Sequence, residues 1–390
     1  MFKILTLNNI SVAGLDRLPR DRYEVASEIT HPDAIMLRSF NMHDMELPES
    51  LLAVGRAGAG VNNIPVEKLS RLGIPVFNAP GANANAVKEL VLAGMLLAAR
   101  NICQAWDYAR NLEGDDHAIH KAVEAGKKQY VGFELPGRTL GVVGLGAIGV
   151  QVANAALALG MKVVGYDPEI TVQRAWQLSS EVQQAASVDD LLCRSDFVTF
   201  HVPLVDATRN LINEERLRII REGAVILNFA RNGIVDDQAV VEALDAGRLW
   251  AYVCDFPNNL IKNHPRVISL PHLGASTREA EENCAVMVAD ELRAYLEEGI
   301  VYNSVNFPEV RMPRADGWRL SVVNANVPNM LGQISTRLAD ASLNIKDMLN
   351  KSNGDLAYTL VDVESEIPRE TLEAIAAIDG VLKVRALGRV

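Results

Sequence analysis

Residues Arg138–Asp167, RTLGVVGLGAIGVQVANAALALGMKVVGYD, decide the fold of this chain. The apolar run Leu140–Val143 predicts a buried strand, the glycine-rich segment Gly144–Gly149 predicts a turn, and the alanine-rich stretch that follows predicts a helix. A second apolar run then ends at Asp167. The segment is therefore predicted to be one βαβ unit with its glycines in the first turn.

The glycine spacing is that of a dinucleotide-binding turn. Gly144 permits a tight turn, Gly146 lets a pyrophosphate approach the backbone, and Gly149 lets the helix pack closely on the strand. Asp167, at the end of the next strand, can take the ribose hydroxyls, and its carboxylate would repel a 2′-phosphate. We therefore expect NAD rather than NADP as the cofactor.

Composition bounds the class of protein. At 390 residues the chain can form two or three domains. Its net charge of -11 argues against nucleic acid or an anionic membrane as a general partner, because both bind basic surfaces. The four cysteines form no CxxC pair, which predicts neither a zinc site nor a disulfide framework, and we expect reduced thiols in the cytoplasm. The start, MFKILTLNNIS, predicts a strand rather than a signal peptide.

The order of predicted elements indicates an α/β protein with two doubly wound, Rossmann-like domains and a small third domain. Strands and helices alternate in residues 1–100, with one long helix predicted from Val87 to about Tyr108, and a helix over 280–299 is predicted to return to this part. A proline-containing linker precedes a βαββαβ pattern with a hairpin at Asn353-Gly354. The predicted boundaries are 1–100 with 280–305 for a discontinuous substrate-binding domain, 101–279 for the NAD-binding domain, 306–317 for the linker and 318–390 for the third domain.

Several residues at predicted strand ends could carry chemistry. His272 follows the strand VISL, and imidazole exchanges protons readily near neutral pH. Arg231 follows another strand, and its guanidinium could hold a carboxylate through two hydrogen bonds. Arg38 and Arg56 end two strands of the first domain, where open α/β sheets bind ligands, and together they favour an anion site. His201, in HVP, is better suited to line the adenine side of the cofactor than to react.

These motifs resemble the D-isomer-specific 2-hydroxyacid dehydrogenase family. The resemblance covers residues 4–305 and rests on GRAGAGVNNI, GRTLGVVGLGAIG, HVP, NFARNGIVD and PHLGAST, the last being typical of the phosphoglycerate enzymes. It implies NAD-dependent oxidation of 3-phospho-D-glycerate to 3-phosphooxypyruvate, the first step of L-serine biosynthesis, without a metal. His272 would be the acid/base, Arg231 would bind the carboxylate, and Arg38 and Arg56 would bind substrate. The residues that it places around NAD are Gly144, Gly146, Ala147, Ile148, Gly149, Asp167, His201, Pro203, Phe229, Ala230, Arg231, Asp255, His272, Gly274 and Ala275.

One departure from the family pattern lies in DFPNNL, residues 255–260. The family has a glutamate here that hydrogen-bonds the histidine, and its place falls on Asn259. An amide lacks the negative charge that favours a protonated imidazole, so we expect activity to decline at high pH earlier than in relatives. Asp255 is then either the aspartate that binds the carboxamide of the cofactor, the interpretation that we favour, or a shifted replacement acid in catalysis.

The third domain resembles an ACT regulatory domain. Its usual Pro-Gly is Pro328-Asn329 here, while Asn324, Asn326 and Asn344 fall where such domains hold an amino acid. The resemblance implies feedback inhibition by L-serine at an interface between two such domains, and a structural dimerisation module is the alternative. Residues 101–137 resemble the dimerisation region of the family, so we expect a homodimer or homotetramer.

Two other functions stay open at this point. A glyoxylate or hydroxypyruvate reductase would need no phosphate site, whereas the ACT-like domain favours a regulated biosynthetic enzyme. A non-catalytic, NADH-sensing binding protein on the same scaffold would tolerate the missing glutamate, but the chain has no basic region for nucleic acid.

Overall fold

The computed structural model of the chain describes residues 1–314 and 316–388 and divides them into two compact units. Met1–Asn83 and Arg278–Val390 form the first unit, and Ala84–Thr277 form the second. Residue 315 of the predicted linker and residues 389–390 of the predicted third domain lie outside the described part. Residues 84–100 group with the second unit rather than with residues 1–83.

The N-terminal part of the first unit is a five-stranded parallel sheet in the order β2-β1-β3-β4-β5. Its central strand β3 has the sequence AIML and is wholly buried, as expected of a parallel strand covered on both faces. The elements are β1 (Phe2–Leu7), α1 (Val12–Leu15), β2 (Tyr23–Ala26), β3 (Ala34–Leu37), β4 (Ala53–Arg56), α2 (Val66–Arg71) and β5 (Val76–Asn78).

The second unit is a seven-stranded parallel sheet in the order β12-β11-β10-β9-β6-β7-β8, which confirms the predicted doubly wound fold. The strand order reverses between β6 and β9, the place at which open α/β sheets bind nucleotides. Its elements are α3 (Ala84–Ala99), α4 (Ile102–Arg110), α5 (Asp116–Gly126), a 3₁₀ turn (Lys127–Tyr130), β6 (Thr139–Val143), α6 (Ala147–Ala158), β7 (Lys162–Tyr166), α7 (Val172–Gln177), β8 (Gln183–Gln184), α8 (Val188–Arg194), β9 (Phe197–Phe200), α9 (Glu214–Ile219), β10 (Ala224–Asn228), α10 (Asp237–Asp245), β11 (Leu249–Cys254) and β12 (Val267–Ser269).

The single long helix predicted from Val87 to Tyr108 is wrong. Asn101 separates α3 from α4 with a φ of 50°, a left-handed conformation that asparagine tolerates better than most residues. Its side-chain amide donates to the carbonyl groups of Tyr130 and Val131 at 3.5 and 3.3 Å. Helical periodicity continued across the break, and only these distant contacts favour the left-handed residue.

The C-terminal part of the first unit begins with the long helix that was predicted over 280–299 and continues as a four-stranded antiparallel sheet with two helices. The strand order β14-β15-β13-β16 confirms the predicted βαββαβ pattern. The elements are α11 (Arg278–Glu298), β13 (Trp318–Ala325), α12 (Met330–Asp340), β14 (Ile345–Asn353), β15 (Leu356–Val363), α13 (Arg369–Ala376) and β16 (Val381–Leu387).

Side chains from the linker and the antiparallel sheet satisfy the last carbonyl groups of α11. The last carbonyl groups of a helix have no intrahelical partners. The negative end of the helix dipole also stabilises cations placed near them. The donor and acceptor pairs are Arg385 with Tyr295 and Leu296, Arg314 with Glu297, Arg319 with Glu298, and Tyr358 with Gly299. The C-terminal sheet is therefore docked on α11 within the first unit.

Glu291 is a fully buried acid on α11. One of its carboxyl oxygens accepts a hydrogen bond from Asn303 at 2.7 Å, and the other has no partner within residues 1–314 and 316–388. Burial, which disfavours the charged form, raises the pKa of this carboxyl to about 8.

The Glu291→Gln variant is expected to become more stable relative to the wild type as pH rises. The folded-state pKa lies above the ordinary 4.5, so between these two values the unfolded chain releases a proton that the folded chain keeps, and wild-type stability falls. The neutral amide does not titrate, so the advantage of the variant grows by on the order of 2–4 kcal/mol across that window. Urea unfolding near both ends of the window measures the effect, and an advantage that does not change with pH would contradict it.

Candidate active site

The glycine loop between β6 and α6 has the shape that the sequence predicts. Gly144 has a φ of 90°, and a Cβ on it would lie 2.5 Å from the carbonyl oxygen of His201. A Cβ on Gly149 would lie 1.9 Å from the carbonyl oxygen of Gly144. At Gly146, which precedes the N-terminus of α6, a Cβ would meet no atom within 4 Å. Packing thus requires the outer two glycines, whereas the middle one keeps space open before the helix.

Asp167 is tied to this loop by its carboxylate. One oxygen accepts the backbone N–H of Leu145 and the other accepts that of Glu169, at 2.8 and 2.9 Å. A carboxylate oxygen has a second lone pair, so both oxygens can also accept hydrogen bonds from the hydroxyls of a ribose. The carboxylate is therefore fixed beside the glycine loop and keeps acceptor capacity for further hydrogen bonds.

His201 provides a neutral imidazole beside the same loop. Its Nε2 lies 3.1 Å from Thr199 Oγ1, and its buried Nδ1 has no partner among the residues described. Burial lowers the pKa of His201 to about 3, so the ring stays uncharged near neutral pH. A buried ring nitrogen without a partner is suited to a hydrogen bond with a polar group of a bound dinucleotide. The open space at Gly146 is suited to a dinucleotide as well, because it leaves room beside the loop. Pro203, two residues further along, is exposed.

Replacing Gly146 with alanine is expected to weaken NADH binding without unfolding the protein. The added methyl group meets no protein atom, but it occupies the space that a pyrophosphate would need. We expect the NADH dissociation constant to rise at least about 10-fold, with an unchanged melting temperature. Fluorescence titration measures the NADH dissociation constant, and calorimetry measures the melting temperature. Gly149→Ala is the matched comparison, because its methyl group would clash with backbone and lower the melting temperature.

The loop that carries His272 is held by Asp255. Asp255 follows β11 and is 1% exposed, and its two oxygens accept the backbone N–H groups of Leu273 and Gly274, both at 2.8 Å. His272 itself has a φ of 57°, which is a strained conformation for a residue other than glycine. Its ring is exposed and packs edge-on against Phe256, with centroids 5.2 Å apart. The carboxylate of Asp255 thus fixes a strained turn that presents an imidazole to solvent.

Arg231 is presented by a turn that Asn228 organises. The side chain of Asn228 is buried, accepts the N–H of Ala230 at 3.2 Å and donates to the carbonyl of Arg231 at 3.0 Å. The guanidinium is exposed and donates to the carbonyl of Ala230 at 2.7 Å. Phe229, a predicted cofactor neighbour, is buried, and its ring packs close to Gly94. Sequence reasoning missed Asn228, although its place at the end of a strand in NFARNG was a usable signal.

The segment with the missing glutamate forms a polar turn. Asn259 is exposed, and its side chain forms no hydrogen bond with the described residues. Its neighbour Asn258 donates to Asp237 at 2.6 Å and accepts the N–H groups of Leu260 and Ile261. No hydrogen bond to the His272 ring is found in the described part of the chain. The Asn259 side chain is thus solvated, and it supplies no carboxylate at the place of the missing glutamate.

The two arginines of the first unit lie together at the carboxyl edge of its sheet. Leu37 of β3 pairs with Arg56 of β4, and Arg56 Nε donates to the carbonyl of Arg38 at 3.0 Å. Arg38 forms a 2.7 Å ion pair with Glu281 on α11. Both guanidinium groups lie close enough to favour the thiolate of Cys284, although burial dominates and raises the pKa of that thiol. Arg38 and Arg56 therefore lie close together at the ends of neighbouring strands, where the sequence places them.

The three predicted effector residues do not lie together in one chain. Asn324 and Asn326 lie at the end of β13, where Asn326 donates to the Gly354 carbonyl of the hairpin at 3.1 Å. Asn344 precedes β14 at the opposite end of the same sheet, because Ile345 pairs with Val363. Asn324 is buried, and its side-chain oxygen has no partner within the described ranges.

Within residues 1–314 and 316–388, no group of three or more histidine, cysteine, aspartate or glutamate side chains could hold a metal ion. None of the helices in those ranges combines the length and the apolar character that crossing a membrane requires.

Comparison with known proteins connects this geometry to a family. The sequence profile described as "D-isomer specific 2-hydroxyacid dehydrogenase, NAD binding domain" matches residues 92–274. The D-3-phosphoglycerate dehydrogenase of Haemophilus influenzae is 34% identical over 355 residues, which are 88% of this chain and 83% of that protein. The D-3-phosphoglycerate dehydrogenase of Methanocaldococcus jannaschii is 36% identical over 349 residues, 87% of this chain but only 63% of that protein, so the chain spans less than two thirds of its length.

A solved structure shows the same fold. The NAD⁺-bound 3-phosphoglycerate dehydrogenase of Entamoeba histolytica superposes with a TM-score of 0.61 at 24% identity, covering 78% of this chain and 98% of that one.

Proposed function

The chain belongs to the D-isomer-specific 2-hydroxyacid dehydrogenase family as an NAD-dependent oxidoreductase, and we propose that it oxidises 3-phospho-D-glycerate to 3-phosphooxypyruvate. This reaction would be the first step of L-serine biosynthesis. The assignment of the substrate rests on Arg38 and Arg56, which lie close together at neighbouring strand ends. A phosphorylated acid has more negative charge than one arginine can neutralise. The name shared by the bacterial and archaeal relatives supports the same substrate.

Each part of the second unit has a role in this reaction. NAD, when bound at the glycine loop, supplies the hydride acceptor. The exposed guanidinium of Arg231 holds the substrate carboxylate and orients the C2 hydroxyl. His272 takes the hydroxyl proton as a general base and returns a proton in the reverse direction. Asp255 keeps the His272 turn in its strained conformation through the two backbone hydrogen bonds.

In the first unit we assign the substrate phosphate to Arg38 and Arg56. Glu281 pairs with Arg38 in the structure, and a phosphate dianion would compete with this single carboxylate for the guanidinium. The ion pair thereby keeps Arg38 oriented until an anion of higher charge displaces Glu281.

Replacing Asn259 with glutamate is expected to extend activity to higher pH. Asn259 is exposed, so the new carboxylate causes no clash, and it restores the residue type that the family uses beside the histidine. We expect the alkaline limb of the reductive pH–rate profile to move up by about 1 pH unit, with little change near neutral pH. Asn259→Gln controls for side-chain length. A glutamate variant whose alkaline limb coincides with that of the glutamine variant would contradict the assignment of Asn259.

The competing function, glyoxylate or hydroxypyruvate reduction, is tested with purified protein and NADH. We expect the kcat/KM for 3-phosphooxypyruvate to exceed the values for glyoxylate and hydroxypyruvate by at least about 100-fold, because only the phosphorylated acid engages the arginine pair. Comparable values for all three acids would replace the proposed substrate with a small 2-oxo acid.

We further propose that the C-terminal domain binds L-serine between two copies of the chain and lowers activity, and that the protein is a cytoplasmic homo-oligomer. The separation of Asn344 from Asn324 within one chain supports a shared site, because a second copy is needed to bring such residues together. Initial rates and melting temperature are measured with and without L-serine. If neither changes, the domain is a structural dimerisation module.

A further inference from the structure

Asn63 is a polar residue beside the arginine pair that the proposed function does not use. It is half-buried and lies in the loop that follows β4. Its side-chain nitrogen donates to the carbonyl oxygen of Arg38 at 3.2 Å and to that of Phe40 at 2.7 Å. Only the nitrogen end of a carboxamide, with its two hydrogens, can serve two carbonyl acceptors. The side chain of Asn63 therefore fixes the backbone of the loop that starts at Arg38.

The carbonyl oxygen of Arg38 joins Asn63 to both arginines. Besides the hydrogen bond from Asn63, it accepts one from Arg56 Nε at 3.0 Å, so two side-chain donors share this oxygen. The Arg56 guanidinium also lies against the backbone of Gly58, where a Cβ would come within 2.6 Å of Arg56 Nη1. A displacement of the Arg38 backbone would therefore shift the acceptor of the Arg56 side chain as well as Arg38 itself.

A second asparagine holds the same loop from a neighbouring strand. Asn8 follows β1, which pairs with β3, and its Oδ1 accepts the backbone N–H groups of Ser39 and Phe40. Its φ of 73° lies in the left-handed region, which asparagine tolerates better than most residues. Residues 38–40 form no regular secondary structure, so these two carboxamides supply hydrogen bonds that a helix or sheet would otherwise supply.

We propose that Asn63 and Asn8 are positioning residues that hold the guanidinium groups of Arg38 and Arg56 in one fixed arrangement for a phosphate group. Both asparagines are neutral, so the attraction for the anion comes from the arginines. The asparagines reduce the conformational freedom that the arginines would otherwise lose on binding, and this preorganisation strengthens affinity. The inference rests on the proposed function in one respect, since the substrate phosphate is assigned there to Arg38 and Arg56.

The first test is Asn63→Ala, which removes both hydrogen bonds. The ligands are 3-phospho-D-glycerate and D-glycerate, each titrated into the NADH-bound protein, because the reduced cofactor cannot accept a hydride from either acid. We expect the dissociation constant of 3-phospho-D-glycerate to rise about 10-fold, as loss of hydrogen bonds to a positioned group would allow. That of D-glycerate should stay within about 2-fold, because it has no phosphate. In turnover, KM for 3-phospho-D-glycerate should rise by a larger factor than kcat falls.

Asn8→Gly tests the same loop from the other side. Glycine keeps the left-handed backbone and removes only the side-chain acceptor, so this variant should fold and should weaken 3-phospho-D-glycerate binding in the same direction. Asn41→Ala is the matched control, because Asn41 lies in the same loop but its side-chain oxygen accepts the N–H of His43, at 3.1 Å. The control should leave both dissociation constants within about 2-fold of wild type.

A measurement without substrate separates this inference from the proposed function. Phenylglyoxal modifies arginine side chains, and mass spectrometry gives its rate at Arg56 relative to the exposed Arg71 of the same chain. We expect this relative rate to rise about 3-fold or more in Asn63→Ala and Asn8→Gly, because the Arg56 guanidinium loses a fixed acceptor. It should not change in Asn41→Ala.

Two results would overturn the inference. In the first, Asn63→Ala and Asn8→Gly lower the melting temperature but leave 3-phospho-D-glycerate affinity and the Arg56 modification rate within about 2-fold of wild type, so the asparagines only stabilise the fold. In the second, both variants weaken 3-phospho-D-glycerate and D-glycerate by the same factor, so the loop does not act on the phosphate. A wild type that binds the two acids equally well refutes the proposed substrate alone, and the Arg56 modification rate then decides whether the asparagines position the pair.

Discussion

Replacing His272 with asparagine is expected to lower kcat by about 10²–10⁴-fold, the usual contribution of a general acid or base. Asparagine suits the left-handed backbone that His272 adopts, so the turn keeps its shape and only the proton carrier is lost. Asp255 still accepts the two backbone N–H groups after position 272. The NADH dissociation constant and the melting temperature should therefore stay close to the wild-type values. Steady-state kinetics and fluorescence titration measure the two quantities.

The matched control is His264→Asn in the same unit. His264 lies 3.2 Å from Asp245 and is not part of the turns that present Arg231 and His272. Its replacement should leave kcat within about 2-fold of wild type. Equal losses in both variants would show that histidine replacement harms the fold, and a His272 variant that retains most of its kcat would remove that residue from the chemistry.

Replacing Arg319 with methionine is expected to destabilise the protein by about 3–5 kcal/mol, the cost of breaking a buried ion pair from one side. Its guanidinium is fully buried and binds both carboxylate oxygens of Asp362, at 2.6 and 2.8 Å. It also donates to the carbonyl groups of Glu298, Met312 and Pro313. Methionine has a similar volume but no donor, so Asp362 keeps its buried charge without this cation. Urea unfolding followed by fluorescence measures the loss.

Arg17→Met is the control for the loss of an arginine. Arg17 pairs with Asp290 at 2.7 Å, but its side chain is half exposed, and exposed ion pairs contribute little to stability. The Arg319→Met, Asp362→Leu double variant should recover part of the stability, because no buried charge is then left without its cation. If the Arg319 single variant costs no more than the Arg17 variant, the buried pair does not anchor the C-terminal sheet to α11.

The sequence was most informative where local residue requirements determine structure. The glycine loop is one such place, since only glycine fits at positions 144 and 149 and the loop matches the pattern. Alternating apolar strands and turn residues likewise predicted the βαββαβ arrangement, including the hairpin at Asn353-Gly354. These features depend on short segments, whose preferences are visible in the sequence itself.

The sequence was less informative where distant residues decide the outcome. The break at Asn101 depends on carbonyl groups nearly thirty positions away, and helical periodicity does not reveal them. The contacts of Asp255 with the backbone after His272 join the segments that follow two different strands, so the sequence suggested an acid but not its partners. The roles assigned to the site residues stay predictions until the variants are measured.

The most direct test of the account is the appearance of NADH absorbance when purified protein and NAD are mixed with 3-phospho-D-glycerate or with D-glycerate. We predict turnover with the phosphorylated acid and a kcat/KM at least about 100-fold lower for D-glycerate, because D-glycerate lacks the phosphate that we assign to the arginine pair. Tight NADH binding with no turnover of either acid would contradict the account and favour a binding protein that the loss of the glutamate at Asn259 has left without catalysis.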